Sequence, residues 1–526
     1  MQRSYLASLS AMLGICLTIT LIALDSTVVG TALPRVVAEL QGYSLYPWIA
    51  SAYLMTNAIM IPITGRLGYL YGRKPFVLAA IVLFTLASVL CGMAQTMMQL
   101  VLARGLQGVG GGMLVGVAFA SVSDLFPVQL DRVRWQAMLS ATFGIATAVG
   151  PALGGWMTEH LGWRSVFYVN VPVALISFPV IWKCLPHIVH HESNDKSIDW
   201  LGALLLAAGV CALLVATEKG PALGFTSLIF IGLIVLAASA LVLFVWHQHH
   251  TSAPIIPARL FGSSAVRKLS LLGALTGLTM FVLVFYSPLM LQGGFNLSPN
   301  QAGLMITPLL VFITIGSLIN GRLLPRLRRP ERLISWGMVL LFIGCLLLTL
   351  FTQHTPQRLG MALFALCGLS LGFQLPNLTL QIQTVVLPRD LGAASALIQT
   401  TRMLGSMIGT SLGGVLVNLT YAREVAQTLV REKITDSQVS QLLRSPQVLI
   451  REQDQDTLQK LASTLNFNVE RLLEQARVGL VSGIHHAYIA CAFIVVVSFV
   501  ISLRLPPFVL HAKNKGHADQ THASLE

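Results

Sequence analysis

Two charged residues lie inside apolar runs of the sequence, Asp25 in LIALDSTVVGTALP and Arg104 in LARGLQGVGGG. Inserting one such charge into a bilayer costs about 3 kcal/mol, so charged residues in spans usually face a cavity or a partner and have a function. Both lie in the same half of the membrane, roughly 12 Å and 9 Å from the outer ends of their runs. Because a nearby cation changes the protonation of a buried carboxylate, we expect Asp25 to bind a proton and Arg104 to act in the same relay.

Each of the two residues also has a structural interpretation. Asp25 can lock its helix to neighbouring helices through hydrogen bonds with Thr27 or backbone amides. Arg104 can be a packing cation whose donors are satisfied by backbone carbonyls. The proton interpretation predicts that Asp25→Asn impairs any function that depends on protons, whereas the structural interpretation does not.

The composition indicates that lipid is the solvent of this chain. Of its 526 residues, 55% are hydrophobic and 10% are charged, whereas a soluble protein carries about 25% charged residues. Seven cysteines lie in or beside apolar runs without a CxxC pair, which argues against a disulfide framework or a metal site. The histidines cluster beside the runs, and we interpret them as interfacial residues rather than metal ligands. With no nucleophile constellation in the spans and no nucleotide-binding loop, we expect neither an enzyme nor a bound cofactor.

Fourteen apolar runs have about the length of a transmembrane helix, which is roughly 20 residues. They cover approximately 9–33, 46–68, 75–95, 98–124, 135–158, 164–185, 199–217, 224–247, 268–292, 301–324, 331–352, 358–385, 391–419 and 478–503. The first run is too long for a signal-peptide core, so we expect an uncleaved span. The loops on the side of both termini carry most of the arginines and lysines. The positive-inside rule therefore predicts cytoplasmic termini, in a bacterial-type inner membrane, and explains the net charge of +13 without nucleic-acid binding.

One loop on the predicted outer side is long, from about residue 420 to 477. Its charges balance, and apolar residues recur at helical spacing in two stretches of it. We predict a hairpin of two amphipathic helices. The hairpin either stabilises the last two spans or offers a contact surface for substrate or for an outer partner protein.

Three short sequences recur at nearly constant separation. The pairs are GRLGYLYGRKP (65–75) with GRLLPRLRRP (321–330), GVGGG (108–112) with GLSLG (368–372), and GPALGG (150–155) with GTSLGG (409–414). Each pair joins spans eight apart, so six helices repeat as six, with two extra helices between them. We therefore predict an all-α polytopic membrane protein with two six-helix bundles, the architecture of secondary transporters. The predicted units are 1–190, a linker of two helices at 191–260, 261–505, and a cytoplasmic tail at 506–526.

These motifs resemble those of a known family. LDSTVVGTALP, GRLGYLYGRKP, LARGLQGVGGG, AVGPALGG and WRSVFYVNVP are similar to the signatures along the first six helices of the fourteen-helix drug:proton antiporters of the major facilitator superfamily, the QacA/EmrB-like group. The resemblance implies export of hydrophobic drugs or toxic small molecules by alternating access. The energy source would be the proton gradient, with no other cofactor, and the lipophilic substrate would be neutral or monocationic. The alternative within this fold is an exporter of a lipid or a specific metabolite.

The loop after the second span departs from the family pattern. An acid is usual where this chain has Tyr69, and an arginine where it has Leu70. The resemblance implies that the acid latches the inner gate, so the latch is missing or built differently here. We assign gate and hinge roles to the glycines and cations of this loop and to the fifth span, where proline kinks the helix and glycine permits close packing. These residues are Gly65, Gly72, Arg73, Lys74, Gly150, Pro151, Gly154 and Gly155.

Polar and aromatic side chains inside the spans are candidates for the substrate pathway. They are Trp48, Tyr53, Asn57, Gln107, Phe373, Gln374, Asn377, Gln381 and Arg402. The alternative for the polar residues is hydrogen bonding between helices, and for Arg402 a structural cation. The repeat places Phe364 at the position equivalent to Arg104, and Phe285 and Tyr286 near the equivalent of Asp25. We therefore expect the proton chemistry in the first half and substrate contacts in both.

Overall fold

A computed structural model describes residues 5–40, 45–126, 129–188, 199–224, 227–251, 254–387, 390–432, 434, 436–443, 446–449, 452–465 and 467–507. These residues form helices and connections, without a strand among them. The helices are α1 (Tyr5–Leu40), α2 (Tyr46–Tyr71), α3 (Arg73–Met93), α4 (Met97–Leu125), α5 (Gln129–His160), α6 (Ser165–Tyr168), α7 (Asn170–Cys184), α8 (Trp200–Leu223), α9 (Leu228–His250), α10 (Ala258–Gly262), α11 (Ser264–Leu289), α12 (Pro299–Leu323), α13 (Arg332–Leu348), α14 (Gln357–Thr384), α15 (Leu391–Arg431), α16 (Ser437–Leu443), α17 (Glu452–Leu465) and α18 (Val469–Ser502). The all-α prediction is confirmed.

Each of the fourteen predicted spans coincides with a helix, the sixth with α6 and α7 together. Ten described helices are long and apolar enough to cross a membrane, and Trp200–Ala216 and Arg332–Leu348 are shorter apolar helices. The two remaining spans lie in α2 and α5, which are 26 and 32 residues long. Both pack against helices of the opposite half, so less of their surface faces lipid and more polar residues are tolerated.

Helix pairing repeats between the two halves of the chain. In the first half α1 packs on α5 and α7, α2 on α4, and α3 on α4 and α7. In the second half α11 packs on α15 and α18, α12 on α14, and α13 on α14 and α18. These pairs correspond one to one under the sequence repeat. The extra helices α8 and α9 pack on each other, and α8 also contacts α2 and α15.

One repeated glycine explains why α2–α4 and α12–α14 pack so closely. A Cβ atom at Gly112 would lie 2.5 Å from the carbonyl oxygen of Asn57, and one at Gly372 would lie 2.5 Å from that of Ile313. A carbon atom at that distance overlaps the oxygen, so each helix pair needs glycine at this position. The recurrence of GVGGG as GLSLG therefore reflects one packing requirement that is met twice.

The two ends of the bundle differ in charge and in what covers them. We call the end at which α2, α4 and α12 end and α3, α5 and α13 begin the basic face, and the opposite end, which carries α16 and α17, the hairpin face. Near the hairpin face α15 and α18 are 41 and 34 residues long, more than a span needs, and α16 and α17 lie between them in the chain, within the predicted hairpin segment. Val439, Leu443 and Leu458 of this hairpin are fully buried in the same core as α18, which supports the stabilising interpretation. The contact-surface interpretation stays a prediction.

The two halves meet at the basic face through a second repeated glycine. A Cβ atom at Gly65 would lie 2.7 Å from the Cβ of Ala396 at the start of α15, and one at Gly321 would lie 3.0 Å from the Cβ of Ala137 near the start of α5. Both glycines occupy the first position of the repeated loop sequence. Beside them Val133 packs with leucines of the second half, namely Leu324, Leu333 and Leu380. The basic face is therefore closed in this conformation by pseudo-symmetric contacts.

Some predicted boundaries lie outside the described residues. They are the division of the first unit from the linker at 190–191, and the predicted tail from residue 508 onward.

Candidate functional site

Asp25 of α1 and Arg104 of α4 form a buried ion pair. Arg104 Nη1 donates to Asp25 Oδ2 over 2.6 Å, and the two side chains are 0% and 3% exposed. Charges removed from water are stable when they are paired and their other donors and acceptors are bonded. The two residues that the sequence singled out as charges inside spans are thus direct partners.

Three neutral polar side chains complete the network around this pair. Gln107 Nε2 donates to Asp25 Oδ1 over 2.8 Å, and Asn170 Nδ2 donates to the same oxygen over 3.2 Å. Both amides also donate to Ser88 Oγ, over 2.9 Å and 2.8 Å. The hydroxyl of Ser88 in turn donates to the carbonyl of Phe167 over 3.0 Å. The carboxylate therefore receives hydrogen bonds from α4 and α7, and α3 supports the donors.

Arg104 has further contacts that fix its position. Its Nη1 also donates to Gln107 Oε1 over 2.6 Å, and its Nε donates to the carbonyl of Ile49 over 3.3 Å. Its guanidinium carbon lies 4.4 Å from the centre of the Tyr53 ring, a cation–π distance. The guanidinium thus connects α1 and α2 to α4, so a change in the charge of Asp25 would alter the contacts between three helices.

The contacts of Thr27 differ from those that the structural interpretation of Asp25 assumed. The Thr27 hydroxyl donates within its own helix, to the carbonyl of Ala23 at 3.1 Å or of Leu24 at 3.2 Å. It also lies so close to Gly150 of α5 that a Cβ atom there would overlap it. Gly150 therefore allows α5 to pack closely on α1 at Thr27, two residues from Asp25 of the ion pair.

The remaining glycines of the fifth-helix motif lie in an unbroken helix. Pro151 is inside α5, which runs from Gln129 to His160, and its side chain lies outside the described residues. Gly154 is buried, whereas a Cβ atom at Gly155 would meet no atom within 4 Å. Gly155 is therefore not needed for close packing in this conformation, and the hinge role of these residues stays a prediction.

An ion pair lies at the basic face beside the loop for which a latch was predicted, and its acid comes from a different helix. Arg73 Nε lies 2.5 Å from Asp124 Oδ2, and Arg73 Nη2 donates to Asp124 Oδ1 over 3.1 Å. Asp124 is at the end of α4, so it supplies the carboxylate that the loop lacks at Tyr69. Arg73 Nη2 also lies 3.2 Å from the position of a Cβ atom on Gly392, in the first turn of α15. The pair thus sits where the first half touches the second.

Gly72 joins α2 to α3 with a backbone conformation that favours glycine. Its φ is +86°, and a Cβ atom there would lie 2.8 Å from the ring of His187. The following Lys74 is half-buried. The sharp turn at Gly72 brings Arg73 back over the end of α4, which positions it for Asp124.

In the first half, the predicted substrate residues lie beside the ion pair. Tyr53 and Asn57 are 3% and 4% exposed, and both approach Gly111 of α4. Gln107 belongs to the Asp25 network, and Trp48 is half-buried in the core near the hairpin-face end of α2. These four residues follow one side of α2 and α4.

In the second half, the predicted substrate residues are mostly engaged with other helices. Asn377 and Asn320 exchange amide hydrogen bonds of 3.0 Å and 2.7 Å, and Gln381 Nε2 donates to the carbonyl of Pro506 over 3.1 Å. Thr276 donates to Gln374 over 3.2 Å. These bonds support the interhelical interpretation.

Two further substrate candidates lie apart from that group. Arg402 is half-buried and donates to Gln399. Phe373 lines a cleft between α12 and α13. The structure therefore does not gather the nine candidates into one pocket.

Sequence reasoning missed three residues of these networks. Asn170 lies in the quoted WRSVFYVNVP motif, which was a usable signal. Asp124 ends a span on the side of the Arg73 loop, so its charge and position were a weaker signal. Ser88 is a serine inside an apolar run, and nothing in the sequence distinguishes it from serines that bond only to their own helix.

Comparison with known proteins shows the family to which this chain belongs. The Major Facilitator Superfamily family model matches residues 15–410. Multidrug transporter protein MdtP of Bacillus subtilis (strain 168) is 29% identical over 518 residues, which cover 96% of this chain and 94% of that protein. Multidrug resistance protein 3 of the same strain is 31% identical over 405 residues, or 77% of this chain and 78% of its own.

Two more comparisons extend the likeness to another genus and to a solved structure. Multidrug resistance protein Stp of Mycobacterium tuberculosis (strain CDC 1551 / Oshkosh) is 32% identical over 404 residues, which cover 75% of this chain and 73% of that protein. The crystal structure of the human organic anion transporter MFSD10 (TETRAN) superposes with a TM-score of 0.63 over 94% of this chain and 99% of its own, at 14% identity, which shows a shared fold. The chain is thus a multi-pass membrane protein that belongs to the Major Facilitator Superfamily.

Proposed function

We propose that this chain exports hydrophobic drugs or toxic small molecules in exchange for protons, by alternating access. The observation that carries the proposal is the Asp25–Arg104 pair, a titratable acid at 0% exposure held by a cation and two amides. The relatives named multidrug transporter and multidrug resistance proteins support export of drugs. The proposed substrate is a lipophilic neutral molecule or monocation.

The proposed coupling follows from the charge on Asp25. When the carboxylate takes up a proton, its attraction to Arg104 is lost and the guanidinium is left without a counter-ion in a buried site, which is costly. The α1–α4 contact then favours a different arrangement, in which Arg104 finds other partners or water. When Arg104 returns, the proton leaves to water and the pair forms again. The proton thus biases the equilibrium between two arrangements of the same helices.

The proposed movement opens the contacts that close the basic face. The Gly65–Ala396 and Gly321–Ala137 contacts are related by the repeat, so one rocking motion of the halves can separate both. The Arg73–Asp124 pair, beside the start of α15, would hold the closed arrangement. We further propose that the basic face and both termini lie in the cytoplasm of a cell with a bacterial-type inner membrane, because the basic loops gather on that side.

A transport assay in liposomes tests this proposal. The purified chain is reconstituted, a pH gradient is imposed, and movement of a fluorescent lipophilic monocation is followed. Proton-driven transport is expected for the wild type and a loss of most of it for Asp25→Asn. The matched control is Asp199→Asn, because Asp199 is also buried and bonded, but to Gln248 and His247 of α9. Undiminished transport by Asp25→Asn would overturn the coupling, and transport of a labelled lipid instead of the cation would favour the alternative exporter.

A further inference from the structure

An apolar cleft opens on the outer surface of the second half, close to the basic face. Its volume is about 590 Å³, and it lies between the end of α12 and the start of α13. Leu323 forms one wall, Trp336 and Leu340 of α13 form the other, and Phe373 of α14 lies at its base. Trp336 is 62% exposed, so the cleft is open along its length. None of its lining residues belongs to the Asp25 network.

Three arginines line the same cleft at its basic-face end. They are Arg328, Arg329 and Arg332, all exposed, and the residues that line the cleft include no acid. Guanidinium groups bind phosphate oxygens through paired hydrogen bonds. The arginines lie where α12 ends and α13 begins, which is the level of lipid headgroups for a helix that crosses the bilayer.

The apolar walls of the cleft and the three arginines at its end together indicate which kind of molecule binds there. A free anion would use the arginines and leave the apolar trough empty, and a neutral lipid would leave three cations without a counter-charge. A lipophilic monocation would be repelled by the same arginines. We propose that this cleft binds one anionic phospholipid from the leaflet at the basic face, with its phosphate on the arginines and an acyl chain along Leu323, Trp336 and Leu340.

The bound lipid would act on the contact between the halves. Leu333 lines the cleft, and it also packs with Val133 of α5 in the cluster that joins the halves at the basic face. Leu327 lines the cleft and packs against the same cluster. A lipid that fills the cleft in the closed arrangement therefore favours that arrangement over one in which these leucines separate. The inference stands apart from the proton coupling, since it uses no residue of that site.

Quenching of tryptophan fluorescence tests the inference directly. The full chain is placed in nanodiscs that contain either phosphatidylglycerol or phosphatidylcholine with brominated acyl chains, which quench nearby indoles. The chain has eight tryptophans, so the signal of Trp336 is the difference between wild type and Trp336→Phe. We expect this signal to report about fivefold or greater preference for phosphatidylglycerol. Equal quenching by the two lipids would overturn the proposal.

Arginine variants test whether the lipid preference arises in the cleft or from general attraction of anionic lipid to the basic face. Substituting Arg328, Arg329 and Arg332 together by Gln should remove the preference while quenching by brominated phosphatidylcholine stays as in the wild type, which also reports that the fold is intact. If that variant does not fold, Arg329→Gln alone should reduce the preference. A preference that persists in these variants would contradict the proposal. The control is the triple Gln variant of three other exposed basic-face cations, namely Arg134, Lys183 and Arg504, which should keep the preference.

A competition experiment with inorganic phosphate tests whether the arginines bind a lipid phosphate or a free phosphate ion. Excess inorganic phosphate, compared with chloride at the same ionic strength, should leave the Trp336 quenching by brominated phosphatidylglycerol unchanged. Displacement by phosphate alone would mean that the arginines bind a free anion, and the lipid proposal would then be wrong.

Discussion

Asp25 and Arg104 are 79 positions apart in the chain, and their carboxylate and guanidinium atoms lie 2.6 Å apart in a buried site. Arg104 also donates to Gln107, which in turn donates to the other oxygen of the carboxylate, Oδ1. The pair therefore belongs to a closed set of hydrogen bonds rather than being an isolated contact. Any change in the charge of Asp25 must be matched by a change in the bonds of its neighbours, and this is the physical basis for coupling a proton to a movement.

Asn170 is expected to tune the proton affinity of the site. Its amide donates to Asp25, and a donor to a carboxylate stabilises the charged form by about 1 kcal/mol. Asn170→Leu should therefore lower proton-driven transport by about fivefold. The control is Ser177→Ala, which removes a buried hydroxyl of α7 that bonds within its own helix and should transport like the wild type. Wild-type transport by Asn170→Leu would show that Asn170 only packs.

Asp124 is expected to hold the basic face closed. Asp124→Asn leaves the buried guanidinium of Arg73 without its charge partner, and breaking a buried pair in this way costs about 3–5 kcal/mol. The closed arrangement should therefore be less populated. Spin labels on residues 134 and 322, which are exposed on α5 and α12, would report a longer distance in a background without the seven native cysteines. Asp131→Asn is the control, and a distance distribution equal to wild type in Asp124→Asn would contradict the latch.

The repeated glycines at positions 65 and 321 are expected to be equivalent in effect. A leucine at either position would overlap the first turns of the opposite half, so the basic face could not close fully. Gly65→Leu and Gly321→Leu should each lower transport by a similar factor and increase the spin-label distance. Gly303→Ala in α12 should change neither, because a Cβ atom there meets nothing within 4 Å. A large effect of one leucine variant without the other would argue against pseudo-symmetric closure.

A pH-sensitive contact lies at the hairpin face, away from the proton site. Glu39 at the end of α1 is held by hydrogen bonds from Arg164 and from Trp163, which lower the pKa of its carboxyl group. A carboxyl whose pKa is lowered on folding stabilises the fold above its unfolded pKa, and this contribution is lost as pH falls through the folded value. The melting temperature of Glu39→Gln should therefore be below that of wild type at neutral pH, and the two should converge as the pH falls through the lowered pKa of the folded state. A difference that is constant with pH would show that the charge of Glu39 contributes nothing.

The sequence was sufficient for the helices and for the central pair. Apolar runs predicted all fourteen long helical segments, because a helix that crosses a bilayer needs about 20 mostly apolar residues. Asp25 and Arg104 were recognisable because charges are rare in such runs. The repeats predicted the two matching bundles, and the structure shows why, since Gly112 and Gly372 meet the same kind of backbone contact.

Other features depend on contacts that no local pattern encodes. Asp124 is 51 positions from Arg73, and its side chain reaches that arginine because Gly72 turns the chain back toward α4. Ser88 joins the proton network through its place on α3 and not through its sequence neighbours. The cleft beside Trp336 is formed by residues of α12, α13, α14 and the α12–α13 connection together, and its arginines were visible in the sequence only as a topology signal.

The most direct measurement is proton release on substrate binding by the purified chain. In a weakly buffered solution with a pH indicator, addition of a lipophilic monocation such as tetraphenylphosphonium should release protons from the wild type. Asp25→Asn should bind the same cation and release none. Proton release by Asp25→Asn equal to that of the wild type would contradict the account, because the exchanged proton would then reside elsewhere.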